Sequence, residues 1–272
     1  MKIRYGESMK GEAQDENAFF AYDELELPMG SAKVIEATRD TLFPSRPHQL
    51  LIEMDCQQDA FFALVGAATA RAYALARKEP HMPARIFTEV LPEDEERMEM
   101  LSTQGYKDND GLVRFSRGEI RRTPLTKPLP KGLVVVRDYL IDELEGRFFL
   151  ERYNALFSAG VDEAWLSALK KRDDFCRMLA VGPEGLAGEI VVWTENGQGV
   201  VGYVHTPPKY QRQGIGSHLL EQALQYWAEH GVRGACFDVW MRLKGAMLLA
   251  ATCGFRQEDL LMRYPEIGRA HV

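Results

Sequence analysis

The chain has 272 residues, 46% hydrophobic and 27% charged, a composition that suits two packed domains of about 100 to 150 residues and excludes wholesale disorder or a fibrous repeat. Lys and Arg number 33 against 40 Asp and Glu, a net charge of −7 that argues against a nucleic-acid partner. No apolar run approaches the roughly 18 residues needed to cross a bilayer, and the opening MKIRYGESMKGEAQDE lacks an apolar leader core, so no membrane partner and a cytoplasmic address are expected.

In chain order, the first half offers strand-like NAFFAYDE, AKVIEATR and QLLIEMD, then an Ala-rich helix from about Ala60 to Lys78 and the strand RIFTEV. The stretch Thr123 to Gly132, TPLTKPLPKG, carries three prolines and no apolar periodicity, which marks a semi-rigid spacer. The expected division is therefore a domain over 1–122, a linker over 123–132 and a domain over 133–272. Beyond the spacer come the strand GLVVVRD, helices around Leu144 to Phe157 and Asp162 to Arg172, and strands CRMLAV, AGEIVVW and GVVGYVH. Gly197 within ENGQG marks a hairpin turn. From Ile215 the apolar residues Leu219, Leu220, Ala223, Leu224 and Trp227 recur at helical spacing until Gly231, and RGACFDVW is the next strand.

The two halves repeat one another. Glu89 falls under Asp238, Gly105 under Gly254, Tyr106 under Phe255 and Arg114 under Arg263, each at the same offset of 149 (254 − 105). Two copies of one α/β unit follow, the first one truncated, since no early helices precede its long helix. Cys56, Cys176, Cys236 and Cys253 form no C-x-x-C pair and read as reduced, packed thiols, while the six histidines show no ligand spacing, so no metal is expected.

The segment Thr206 to Leu220, TPPKYQRQGIGSHLL, ends a strand, places glycines at two alternate positions and opens an amphipathic helix at once. Unpaired amides at a helix start carry partial positive charge, and glycine lets an anion approach them, so a diphosphate is the natural guest. A dinucleotide fingerprint would need a third glycine where Leu219 stands, and a P-loop would need Gly-Lys-Ser/Thr. The alternative is that Gly214 and Gly216 only permit a tight turn.

Gln211 to Gly216, preceded by Pro208 and Tyr210, resembles the Q/R-x-x-G-x-G/A motif of the GNAT-type acyl-CoA N-acetyltransferases, and the order of elements from Gly132 to Tyr264 is similar to theirs. The resemblance implies an α/β fold of two tandem GNAT-like domains with a mixed sheet, and acetyl-CoA as co-substrate. It implies that Val204, His205 and Thr206 meet the pantetheine arm and acetyl carbonyl, and that Arg212, Gln213, Gly214, Ile215, Gly216 and Ser217 hold the diphosphate. Asp238 matches a position where some members carry an acid residue, and it stands either as general base or as a strand carboxylate paired with a neighbour. Glu189 is the second candidate base. The acceptor would be an amine of unspecified identity, and a homodimer is compatible with the family.

The sequence departs from the pattern where Leu243 and Ala250 replace the usual Asn and acid-donating Tyr, and Val200 occupies the place of a glutamate found in some members. Those departures motivate a second reading, an acyl-CoA-binding sensor or interaction protein without turnover. In the first copy the corresponding helix start, DCQQDAFFALVG, brings Asp55 and Asp59 instead of glycines. Carboxylates there repel a diphosphate, so this half is expected to bind no CoA and to cover or wall the second.

Overall fold

The computed structural model describes residues 1–5, 15–122, 124–158 and 160–267. Among the described residues, those up to Gly111, with Ala155–Ser158 and those from Met262 to Ile267, form one compact unit, and those of Leu112–Asn154 and Ala159–Leu261 form the other. Each unit is built on a seven-stranded mixed sheet.

The first sheet starts as an antiparallel meander of β1 (Lys2–Tyr5), β2 (Ala18–Tyr22), β3 (Pro28–Thr38) and β4 (His48–Cys56). Helix α1 (Gln58–Lys78) follows after a single residue and places Ala60, Phe61, Leu64, Val65, Ala68, Ala72 and Leu75 on one buried stripe against the sheet. Strand β5 (Ala84–Thr88) returns parallel to β4, then come α2 (Glu95–Thr103) and β6 (Tyr106–Lys107). Asp94 starts α2 by accepting the Arg97 amide at 3.0 Å. No helix precedes α1 among the described residues, in keeping with a truncated copy.

The second sheet has the order β8-β9-β10-β11-β12-β7-β13. Its members are β7 (Gly111–Arg117), β8 (Val134–Asp138), β9 (Asp173–Gly182), β10 (Gly185–Glu195), β11 (Gln198–His205), β12 (Gly234–Trp240) and β13 (Arg256–Arg263). Helices α3 (Glu143–Phe157) and α4 (Glu163–Lys170) lie between β8 and β9 in the chain, and each is started by an aspartate. Asp142 accepts from the Leu144 and Glu145 amides, and Asp162 from Trp165. The β10–β11 hairpin turns on Asn196 and Gly197 at φ 51° and 76°, as the ENGQG pattern predicts. Helix α5 (Ile215–Glu229) buries Ile215, Leu219, Leu220, Ala223, Leu224 and Trp227 against one sheet face, where α6 (Lys244–Thr252) adds Ala250.

The units do not divide at the proline-rich spacer, of which Thr123 lies outside the described residues. Strand β7, from the first half of the sequence, pairs with β12 in the second sheet, Asp238 facing Arg114. A final strand β14 (Glu266–Ile267) lies between β5 and β6 in the first sheet. Each of these late strands thus lies in the sheet built mainly by the other half of the sequence.

Candidate active site

Strand β11 pairs β12 in parallel only from Gln198 to Val201, opposite Gly234 to Phe237, and from Gly202 on it has no β12 partner. Its other edge stays bonded to β10 as far as His205 opposite Glu189. The sheet is thus split open beside Gly202 to His205. The split coincides with a bulge, because Val191 faces Tyr203 and Val192 faces Val201, leaving Gly202 as the extra residue. A Cβ on Gly202 would lie 2.2 Å from the Trp193 ring, so only glycine fits.

Nine residues separate the end of β11 from the start of α5, residues 206 to 214. Two glutamines tie this loop to itself, Gln211 Nε2 donating to the Thr206 carbonyl and Gln213 Nε2 to the Lys209 carbonyl, both at 3.1 Å. Arg212 and Gly214 adopt left-handed backbone at φ 61° and 81°. Gly214 is the N-cap and has no side chain to cap with; the first helical bond runs from the His218 amide to the Gly214 carbonyl at 2.9 Å. The amides of Ile215, Gly216 and Ser217 ahead of it have no helical acceptor. Of the predicted diphosphate residues, Arg212, Gln213 and Gly214 are exposed, Gly216 and Ser217 half-buried, and Ile215 buried. A Cβ on Gly216 would sit at ordinary contact distance, 3.5 Å from Leu249, so packing within the chain does not require that glycine.

The predicted reactive residues differ in their surroundings. Both oxygens of Asp238 accept from Arg114, at Nε and Nη2, each at 2.8 Å, which is the paired alternative read from the sequence. Glu189 is fully buried, accepts from Arg177 Nε, and has Arg152 Nη2 at 3.4 Å. Arg177 in turn reaches Asp138 at 2.7 Å. The Tyr203 hydroxyl is held protonated, pushed well above the usual tyrosine range by burial first and by the adjacent Glu189 carboxylate second. His205, opposite Glu189, goes the other way, as burial lowers it below the ordinary 6.5 against a weaker upward pull from Glu189. It is the neutral imidazole of the group at neutral pH.

Sequence reasoning missed Arg114 and Arg177, although an arginine inside the apolar run CRMLAV signals a buried partner as clearly as Glu189 in AGEIVVW does. It also missed the ring cluster beside the bulge, where Phe149 and Tyr153 of α3, Trp165 of α4 and Tyr203 pack with centroid separations from 4.7 to 6.4 Å. The spacing of Phe149 and Tyr153, one helical turn apart, was the available signal.

The corresponding place in the first unit is closed. Strand β4 also parts from β5 after Ile52, opposite Thr88, but Arg97 of α2 donates to the Met54 carbonyl at 2.6 Å in the parted stretch. The loop of nine residues is replaced by Gln57 alone, and Asp59 occupies the first turn of α1.

Residues 138–255 match the family model described as Acetyltransferase (GNAT) family. That segment is a GNAT domain, and the chain as a whole has the fold of two tandem GNAT-like units. A GCN5-related N-acetyltransferase from Sphaerobacter thermophilus is similar at TM-score 0.52 and 16% identity, over 94% of this chain and 81% of that one. A protein of Enterococcus faecalis described as a probable N-acyltransferase is similar at TM-score 0.51 and 12% identity, over 91% of this chain and 61% of that one. A GCN5-related glucosamine N-acetyltransferase region in a fungal multi-domain β-N-acetylglucosaminidase is similar at TM-score 0.50 and 13% identity, over 91% of this chain and 32% of that one. At these identities the likeness is one of fold. No curated protein matches the sequence. Among the described residues no group of His, Cys, Asp and Glu is placed to hold a metal ion, and no helix is long and apolar enough to cross a membrane.

Proposed function

We propose that the second unit is an acetyl-CoA-dependent N-acetyltransferase that acts on a primary amine by direct transfer in a ternary complex. One observation carries the reading: the opened edge of β11 runs directly into a self-tied loop and an uncapped helix start. The family match and the fold support acyl transfer as the class of chemistry.

The residues present fit the co-substrate. Amides of Ile215, Gly216 and Ser217, with the amides of the left-handed turn at Arg212 to Gly214, form an anion cradle for a diphosphate, and the Arg212 side chain lies exposed beside it. The free edge of Gly202 to His205 offers main-chain groups to the pantetheine arm, and an amide near Val204 polarises the acyl oxygen. The thioester supplies an activated acyl group and a thiol leaving group.

His205 takes the proton of the attacking amine in this proposal, in place of Asp238, both of whose oxygens accept from Arg114, and of Glu189, which is fully buried with its Oε1 held by Arg177. An imidazole kept neutral by burial accepts a proton at physiological pH. Ala250, fully buried where the family resemblance places an acid-donating Tyr, leaves the departing thiol without a proton donor there, and a thiol with an ordinary value near 8.5 leaves partly as thiolate. The same Ala250 favours the second reading, a sensor that binds acyl-CoA without turnover.

The test is release of free thiol from acetyl-CoA over a panel of primary amines, with CoA binding measured in parallel by calorimetry. Amine-dependent thiol release supports transfer. Binding with no release on any amine supports the sensor, and absence of binding overturns both.

A further inference from the structure

The proline-rich stretch that the sequence reads as a spacer is fastened to α5. Glu221, on the second turn of that helix, accepts from the Thr126 amide at 2.8 Å, from the Lys127 amide at 3.0 Å and from the Thr126 hydroxyl. Closer to the helix start, the Lys127 carbonyl lies 2.6 Å from His218 Nδ1 and, being an acceptor only, takes its proton. His218 directly follows Ser217, the last of the amides without a helical acceptor. Pro128 keeps Lys127 extended, and Leu129 beyond it packs against the core of the second unit. The stretch is thus a strap laid along α5 and running toward its N-terminal end.

The pinned part of the strap brings one cation with it. Lys127 is exposed and joins no ion pair among the described residues. Its ammonium lies on the side of the helix start: burial pushes the Cys253 thiol up to about 11, Lys127 is among the charges that pull it back, and that sulfur is 3.9 Å from the Ser217 carbonyl. Lys209, in the loop ahead of α5, is by contrast held by Glu184 at 3.2 Å. CoA carries a phosphomonoester on its ribose in addition to the diphosphate. The amides at the end of α5 point along the helix axis and serve the diphosphate. Lys127 stands beside the helix, level with its first two turns, so the phosphate within its reach is the other one.

We infer that Lys127 is a donor-specificity residue that meets the ribose phosphomonoester of CoA, with Glu221 and His218 as the positioning residues that hold it beside the helix start. The inference rests on the CoA reading of the α5 site.

Calorimetry of CoA and of 3′-dephospho-CoA against the full chain tests it. The wild type is expected to bind CoA about tenfold tighter than dephospho-CoA, the worth of one charge-assisted contact. Lys127→Ala should cost CoA that factor and leave dephospho-CoA within about twofold, so that the two ligands bind alike, and Lys127→Arg should keep the preference. Glu221→Ala, which frees the strap, should cost CoA the same factor, and adding Lys127→Ala to it should cost no more. Losses that add in the double variant would take the positioning role from Glu221. Equal binding of both ligands by the wild type, a preference that survives Lys127→Ala, or an equal loss for both ligands in that variant overturns the role of Lys127 while the CoA site itself stands. Binding of neither ligand by the wild type removes the CoA reading and the inference with it.

Discussion

At the scale of single residues the proposed chemistry turns on one imidazole and one glycine. Because burial lowers His205, its neutral form persists below pH 6.5 and disappears only as the pH falls further. With rate plotted against free-amine concentration, kcat/KM should therefore show an acid limb centred below 6.5. His205→Gln should abolish that limb and lower kcat/KM about a hundredfold, with CoA affinity within twofold of the wild type. Asp238→Asn separates the two base assignments. It removes one partner of a pair that is about one-third exposed, so it should lower stability by no more than about 1 kcal/mol and leave the pH profile in place. A profile that loses its acid limb in Asp238→Asn would restore that carboxylate as the base. Gly214→Asp puts both a side chain on left-handed backbone and a negative charge at the anion cradle, and CoA affinity should fall at least about a hundredfold by calorimetry. The glycine motif was legible because its chemistry is local. The Arg114 pairing was not, since 124 residues separate Arg114 from Asp238 and only the strand register brings them together.

At the scale of elements, β14 is a two-residue strand held by more than its ladder bonds. Glu266 receives Arg85 Nε at 3.0 Å and Arg46 Nη1 at 3.3 Å, while Arg85 also donates to Asp110 at 2.7 Å and lies 4.1 Å over the Phe87 ring. Arg85, Asp110 and Glu266 are all buried. Removing one carboxylate leaves a buried guanidinium undercompensated, so Glu266→Ala should destabilise the first unit by about 3 kcal/mol. Urea denaturation followed by hydrogen exchange would show this as early loss of protection in β5 and β6. Periodicity marks most strands and helices correctly, because each buries one face and therefore repeats every two or every 3.6 residues. It is silent on which sheet a strand joins, so it does not show that β7 enters the second sheet and β14 the first.

At the scale of the whole molecule, two units with one repeated pattern have different surroundings at the equivalent helix start. Arg97 on the Met54 carbonyl and the one-residue link at Gln57 leave the first unit no cradle, so calorimetry should return one CoA per chain and not two. A stoichiometry of two would overturn that assignment. The sequence shows the missing glycines and the carboxylates Asp55 and Asp59, and it conceals Arg97, which is far from β4 in the chain and near it only after folding.

The placement of β14 bears on how the chain is made. Glu266 emerges from the ribosome 159 residues (266 − 107) after Lys107, the end of β6, which at about 5–20 residues per second is roughly 8 to 30 seconds of synthesis. Through that interval β5 and β6 face each other without the strand that bonds to both, and their unpaired backbone groups are open to any extended segment nearby. Nascent chains halted before Pro265 should then be held by chaperones or lost to aggregation more readily than chains that have passed Ile267.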